Sequence, residues 1–223
     1  MNVVPDEIFS SSFAAAAYLE SIDFKKSGKK VYIIGESGIE EELKMIRVPF
    51  LGAGSDNEKS PDMGKGGKME VDKEVGAVVV GFDRGINYYK MQYAQLCINE
   101  NKDCLFVATN LDQVTHLTDA QEWAGNGAMV GAIKGCTGKE PILVGKPSSL
   151  MIDYIVEQFD VDRKEICMVG DRLDTDILFG NDNGLKSILA LTGVTDLERL
   201  NSESNRIKPD YYVESIADFL PES

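Results

Sequence analysis

Apolar residues fall into blocks of two kinds along this chain. The first kind is a short continuous run: Val31 to Ile34, Ala77 to Val80, Cys104 to Ala108, Ile166 to Val169 and Ser187 to Leu191. Unbroken runs of strand length suit parallel strands covered on both faces, where in–out alternation is lost. The second kind is helical in spacing. Residues 8–24 put Phe9, Phe13 and Ala17 on one stripe, and an Ala run adds intrinsic helix preference. Residues 39–46 form a short acidic helix. From Asn87, a plausible cap, to Asn99, the buried face carries Tyr89, Tyr93, Leu96 and Cys97. Ser148 caps a helix whose buried face carries Met151, Tyr154, Ile155 and Phe159. Residues 120–134 read as helix around Trp123 and Met129, cut by Gly125, Gly127 and Gly131. Ile142 to Val144 and Tyr211 to Val213 are short strands, and Ile216 to Leu220 is a short last helix. Strands alternating with helices predict an α/β fold with largely parallel pairing. The Gly- and charge-rich residues 51–73 predict a surface loop.

Charge narrows the classes of partner. The 223 residues hold 23 Lys plus Arg against 37 Asp plus Glu, a formal net charge of −14. Such a surface repels phosphate backbones and anionic lipid, so neither nucleic acid nor membrane is an expected partner. No apolar run reaches membrane-spanning length, and the opening MNVVPDEIF lacks a signal-peptide pattern. Cys97, Cys104, Cys136 and Cys167 form no CxxC pair and read as reduced cysteines of a cytoplasmic protein. The single histidine, His116, has no ligand spacing around it, which argues against zinc and against a Ser-His-Asp triad. The run GNGAMVG resembles a nucleotide fingerprint, but no strand is expected to lead into it. Close packing is the expected use of its glycines, and nucleotide binding is a minor alternative.

Two short segments carry candidate chemistry. In GDRLDTD, after an apolar run, Asp171, Asp174 and Asp176 crowd within six residues. Clustered carboxylates need a compensating positive charge or a proton. A hard cation such as Mg²⁺ takes oxygen ligands and keeps waters and phosphate in its shell. Asp171, first off the strand, is the best ligand candidate; Asp176 reaches the same place or orients a bound water; Asp174 faces solvent. The bland alternative is an acidic turn opening a helix. The second segment is Gly145-Lys146-Pro147. Proline keeps Lys146 out of the helical region, so its side chain leaves the strand end in a set direction. A lysine there can neutralise a phosphoryl oxygen and a carboxylate together.

With these residues in place the chain resembles the haloacid dehalogenase superfamily, within it the capped phosphoglycolate and 4-nitrophenyl phosphate phosphatases. The likeness is carried by FSSSFAAAAYL, AVVVGFDRGINYYK, LFVATNLD, ILVGKPS, MVGDRLDTDI, LKSILALTGV and PDYYVESIADFLP. It implies a Rossmann-like core, N-terminally incomplete here, formed by residues 1–27 and 119–223, with a large α/β cap over 28–118. It implies Lys146 as the catalytic lysine that steadies an aspartyl nucleophile and the phosphoryl group, and Asp171 and Asp176 as metal ligands for Mg²⁺. Asn110 and Asp112 are weak candidates for substrate contact. The partners implied are a small phosphorylated metabolite and, through the cap, a second copy of the chain.

The chain departs from the pattern in one respect. The family's earlier DxDG motif, which supplies nucleophile and general acid/base, has no counterpart found in these residues. Asp6 and Asp23 follow no buried strand, Asp83 belongs to the cap pattern, and Asp174-Thr175-Asp176 is already used. The expectation is a Mg²⁺-dependent phosphate monoester hydrolase in complete form, with this chain incomplete and inactive alone. The alternative is a non-catalytic interaction or regulatory protein derived from a phosphatase. The strand at 166–169 is expected to lack a neighbour.

Overall fold

The computed structural model describes residues 3–4 and 7–220; Asp6 lies outside them. It divides into two compact units, one ending at Gly145 and the other starting at Lys146.

The first unit is a doubly wound sheet. Its elements are α1 (Ser11–Ser21), β1 (Lys30–Ile34), α2 (Ser37–Met45), β2 (Phe50–Gly52), β3 (Val75–Val80), α3 (Tyr88–Glu100), β4 (Leu105–Ala108), β5 (Val114–Thr118), β6 (Gln121–Ala124), α4 (Asn126–Thr137) and β7 (Ile142–Leu143). The sheet order is β2-β1-β3-β4-β7, parallel throughout. All six residues of β3 are buried, as the unbroken apolar run predicts. Tyr32, Ile34, Val78, Val80, Phe106 and Ala108 share a core with Tyr93, Ala94, Cys97 and Ile98 of α3 and Met129, Val130 and Ile133 of α4. The alternate residues Val31, Ile33, Ala77, Val79 and Val107 are equally buried, so strand periodicity places them on the opposite face. The α1 helix starts at Ser10, whose hydroxyl accepts from Phe13 N, and it packs against α2.

The second unit carries α5 (Leu150–Phe159), β8 (Cys167–Gly170), α6 (Leu178–Asp182), β9 (Lys186–Ala190), α7 (Leu197–Asn201) and β10 (Tyr211–Val213). Its sheet, also parallel, has the order β10-β9-β8. Among the described strands β8 pairs with β9 alone, and Cys167 on it is exposed. Two small cores hold the unit: Ile152, Phe179 and Leu185, and Leu173, Ile177, Leu189 and Leu200.

Several sequence expectations are corrected. Residues 1–27 and 119–223 were expected to fold together, apart from 28–118. Instead α1 and the segment to Gly145 belong to the first unit, because β7 hydrogen-bonds to β4 and α4 packs on α3. Residues 121–124, expected to open a helix over 120–134, instead form β6, which pairs antiparallel with β5. Trp123 is 40% exposed there, its indole N–H donating to Thr118 Oγ1 at 3.1 Å. Helix α5 begins after Ser149, whose side chain makes no cap bond, while Ser148 Oγ accepts Leu150 N at 3.5 Å. Its buried residue is Ile152, and Phe159 is exposed. The 51–73 loop is anchored as well as exposed: Asp56 and Val71 are buried, and Asp56 Oδ2 accepts the Tyr32 hydroxyl at 2.9 Å.

The four cysteines are unpaired. Burial pushes the Cys97 thiol up to about 12 and the Cys104 thiol up to about 11, which keeps both protonated at pH 8. A thiol reagent added to the native chain at pH 8 is therefore expected to modify exposed Cys136 and Cys167 first and to reach Cys97 only on unfolding. Mass mapping of the labelled peptides checks this.

Candidate functional site

The second unit builds a compact polar site where β8 ends. After Asp171 the chain enters one widened helical turn, Leu173–Ile177, with the π-type bond Ile177 N to Arg172 O at 3.0 Å. Such turns displace a side chain from its regular helical direction. Here the turn carries Asp176 back toward the strand end. Its Oδ2 accepts the backbone N–H groups of Asp171 and Arg172, each at 3.2 Å. Its Oδ1 accepts Lys146 Nζ at 2.5 Å. Gly170 makes room for this, since a methyl there would overlap the Asp176 carboxylate. The side chain of Asp176 is 7% exposed and that of Lys146 is 39% exposed. The lysine thus holds a buried carboxylate while its own stem reaches water.

Asp171 is held from the other side. Its Oδ2 accepts Val194 N at 2.8 Å, and its carbonyl accepts Thr195 N at 3.1 Å. Its Oδ1 takes no hydrogen bond from the described residues. Asp174 points outward, half exposed, and forms an ion pair with Arg172 at 3.4 Å.

The structure thus brings together Lys146, Asp171 and Asp176, three residues singled out from sequence. Among the described residues Lys146 pairs with no carboxylate besides Asp176. Asn110 and Asp112 lie in the first unit, in an Asx turn after β4, where Asp112 N donates to Asn110 Oδ1 at 3.2 Å. No group of three or more His, Cys, Asp or Glu side chains converges among the described residues. The donor set at Asp171 and Asp176 nevertheless fits Mg²⁺. That ion is commonly held by one or two carboxylates, with waters and substrate phosphate completing its shell. An open Asp171 oxygen beside a neutralised Asp176 meets that need.

Two features were missed in the sequence. One is the turn at Gly193 and Val194, which signals nothing until Asp171 is seen against it. The other lies in the first unit, at the carboxyl ends of β1 and β3. Lys90 is fully buried, donating from Nζ to Asp83 Oδ2 at 2.7 Å and to Asn57 Oδ1 at 2.6 Å. Asp83 also accepts Gly35 N at 3.1 Å and Gly85 N at 2.9 Å. Above it Arg84 grips Glu36 with two guanidinium nitrogens, at 2.7 and 3.0 Å. A cavity of about 430 Å³ lies there, lined in part by Glu36, Ser37, Asp83 and Arg84. The glycines of GNGAMVG serve α4 packing in part: methyls at Gly125 and Gly127 would overlap the carbonyls of Asp112 and Leu111, whereas Gly131 faces open space.

A doubly wound parallel unit is followed by a strand-end Lys–Asp–Asp cluster, and comparisons with known proteins place this α/β fold among the HAD-like hydrolases. The HAD-hydrolase-like family model matches residues 143–219. Phosphoglycolate phosphatase 1A, chloroplastic, of Arabidopsis thaliana is 58% identical over 220 residues, which are 99% of this chain and 60% of that protein. Phosphoglycolate phosphatase 2 of the same plant is 52% identical over 98% of this chain and 72% of its own length. A solved p-nitrophenyl phosphatase from Archaeoglobus fulgidus superimposes with a TM-score of 0.76 at 30% identity, over 98% of this chain and 75% of that one. The chain belongs to the haloacid dehalogenase-like hydrolases, among relatives named as phosphoglycolate and nitrophenyl phosphatases. It spans 60% of the length of the first of these relatives. No helix among the described residues is long and apolar enough to cross a membrane.

Proposed function

We propose that this chain supplies the lysine and metal-ligand half of a Mg²⁺-dependent phosphate monoester hydrolase acting on a small phosphorylated metabolite such as phosphoglycolate. The single observation that carries the reading is the Lys146–Asp176 ion pair beside the open oxygen of Asp171. Lys146 and the metal would supply positive charge where phosphoryl oxygens gather negative charge. Asp171 would hold Mg²⁺, with Asp176 fixing the lysine and the strand end. The metal when bound would act as a Lewis acid toward phosphate. Within the chain's own residues Lys146 orients and neutralises, and Asp176, through Asp171 N and Arg172 N, keeps Asp171 in place. The attacking carboxylate is assigned to none of the described residues, among which Lys146 pairs with no carboxylate besides Asp176.

The test is an assay of the 223-residue chain with 4-nitrophenyl phosphate and Mg²⁺. The expected result is no turnover above buffer. Turnover that disappears in Asp171→Ala would overturn the assignment of the nucleophile elsewhere.

A further inference from the structure

A second place in the chain is built to receive a ligand, and it lies wholly within the first unit. The sheet order β2-β1-β3-β4-β7 winds outward in both directions from β1 and β3. Open parallel sheets bind ligands at such a reversal, beyond the carboxyl ends of the strands. The cavity of about 430 Å³ lies there, within the span of about 300–1,000 Å³ that small-molecule sites occupy. Glu36, Ser37, Glu40, Asn57, Asp83 and Arg84 line it together with glycines, and no apolar side chain is among its lining residues. Such walls suit a small polar guest, because an apolar one would gain little by leaving water for them.

The floor of the cavity is fixed. Lys90 and Asp83 are buried and paired, and Asp83 holds both flanking loops through Gly35 N and Gly85 N. Those charges satisfy each other. The rim differs: the Arg84 side chain is 69% exposed and that of Glu36 39%, so this pair is screened by water and can exchange partners at little cost. Glu36 is the N-cap residue of α2 but makes no cap bond; its carboxylate turns to Arg84 instead. Glu40, one helical turn on, adds a second carboxylate, 3.5 Å from the exposed Lys44 ammonium.

These charges discriminate among guests. A lone anion would take the Arg84 fork from Glu36 and face two carboxylates, in a chain of net charge −14. The Glu36 carboxylate also stands in the β1–α2 turn, where nucleotide sites of this topology seat phosphate on backbone N–H groups. A lone cation would leave Arg84 without a carboxylate. A zwitterion exchanges one ion pair for two: its carboxylate meets the planar Arg84 fork, its ammonium meets Glu36, and the two loops stay joined through it. We propose that this cavity binds a small polar α-amino acid, selected by Arg84 and Glu36. The site draws on none of Lys146, Asp171 and Asp176, so the proposal stands or falls apart from the hydrolase reading.

The test adds L-serine to the whole isotope-labelled chain and follows the amide resonances of Ser37, Arg84 and Gly85. These are expected to shift with a dissociation constant of about 1 mM or below. Two molecules of similar size each lack one charge: ethanolamine has no carboxylate, and 3-hydroxypropanoate has no ammonium. Each is expected to bind at least about tenfold more weakly, through loss of one charge-assisted contact. Arg84→Gln and Glu36→Gln are expected to weaken L-serine to the same degree while melting as the unmodified chain does, since an exposed pair adds little to stability. Amides that stay in place under L-serine at about ten times that concentration would overturn the proposal. So would ethanolamine or 3-hydroxypropanoate binding as tightly as L-serine, or a normally folded Arg84→Gln chain that binds L-serine unchanged. Should either variant fail to fold, the comparison of the three molecules on the unmodified chain decides.

Discussion

Lys90→Met is expected to destabilise the first unit by about 3–5 kcal/mol, the cost of removing one partner from a buried ion pair. No discount for solvent applies, because the two side chains are 0% and 2% exposed. Methionine has a similar length, so packing changes little; what remains is a carboxylate, Asp83, without its cation. The two backbone donors at Gly35 and Gly85 still reach it, but they carry no full charge. Asn57 loses its donor as well. Urea unfolding followed by a probe confined to the first unit measures the loss. The double variant Lys90→Met/Asp83→Asn is expected to recover part of it, since a neutral amide is cheaper to bury and can still accept a hydrogen bond. A double variant no better than Lys90→Met would show that packing, not charge, governs this place.

Asp176→Ala is expected to cost about 2–4 kcal/mol in the second unit, as it deletes an acceptor shared by two backbone N–H groups and a lysine. The figure is held below that for Lys90 because the Lys146 side chain is 39% exposed and can be rehydrated. The same change frees Asp171 from its strand-end register, so Mg²⁺ affinity falls by at least about tenfold. Calorimetric titration with Mg²⁺ and thermal melting separate the two effects. Asp176→Asn should restore most of the stability, because an amide oxygen can still accept one of these bonds. A variant with unchanged melting and unchanged metal binding would contradict the role given to Asp176.

Much of the fold is legible because buried parallel strands write themselves as unbroken apolar runs. Ala77 to Val80 is the clearest case, and β3 is buried along its whole length. The β5–β6 pair was hidden because it packs little: all four residues of β6 are exposed, so burial left no alternation to read. Helix α3 shows the opposite difficulty. Its buried stripe is Lys90, Tyr93, Ala94, Cys97 and Ile98, shifted from the expected one because a lysine was not counted as a core residue. A lysine three and seven residues before Tyr93 and Cys97 on that stripe was the signal available. At the site, Lys146, Asp171 and Asp176 were legible as residue types. Their mutual hydrogen bonds were not, since these need the widened turn at Leu173–Ile177 and the approach of Gly193, neither of which has a local pattern.

The strand order of the first unit places a crevice between the ends of β1 and β3, where proteins of this topology commonly lodge a cofactor. Here Lys90, Asp83 and Asn57 fill its floor, and Arg84 and Glu36 join the two loops across its mouth. The charges that brace the crevice thus belong to the chain itself, and they give a stiff rim to the cavity of about 430 Å³ that lies there.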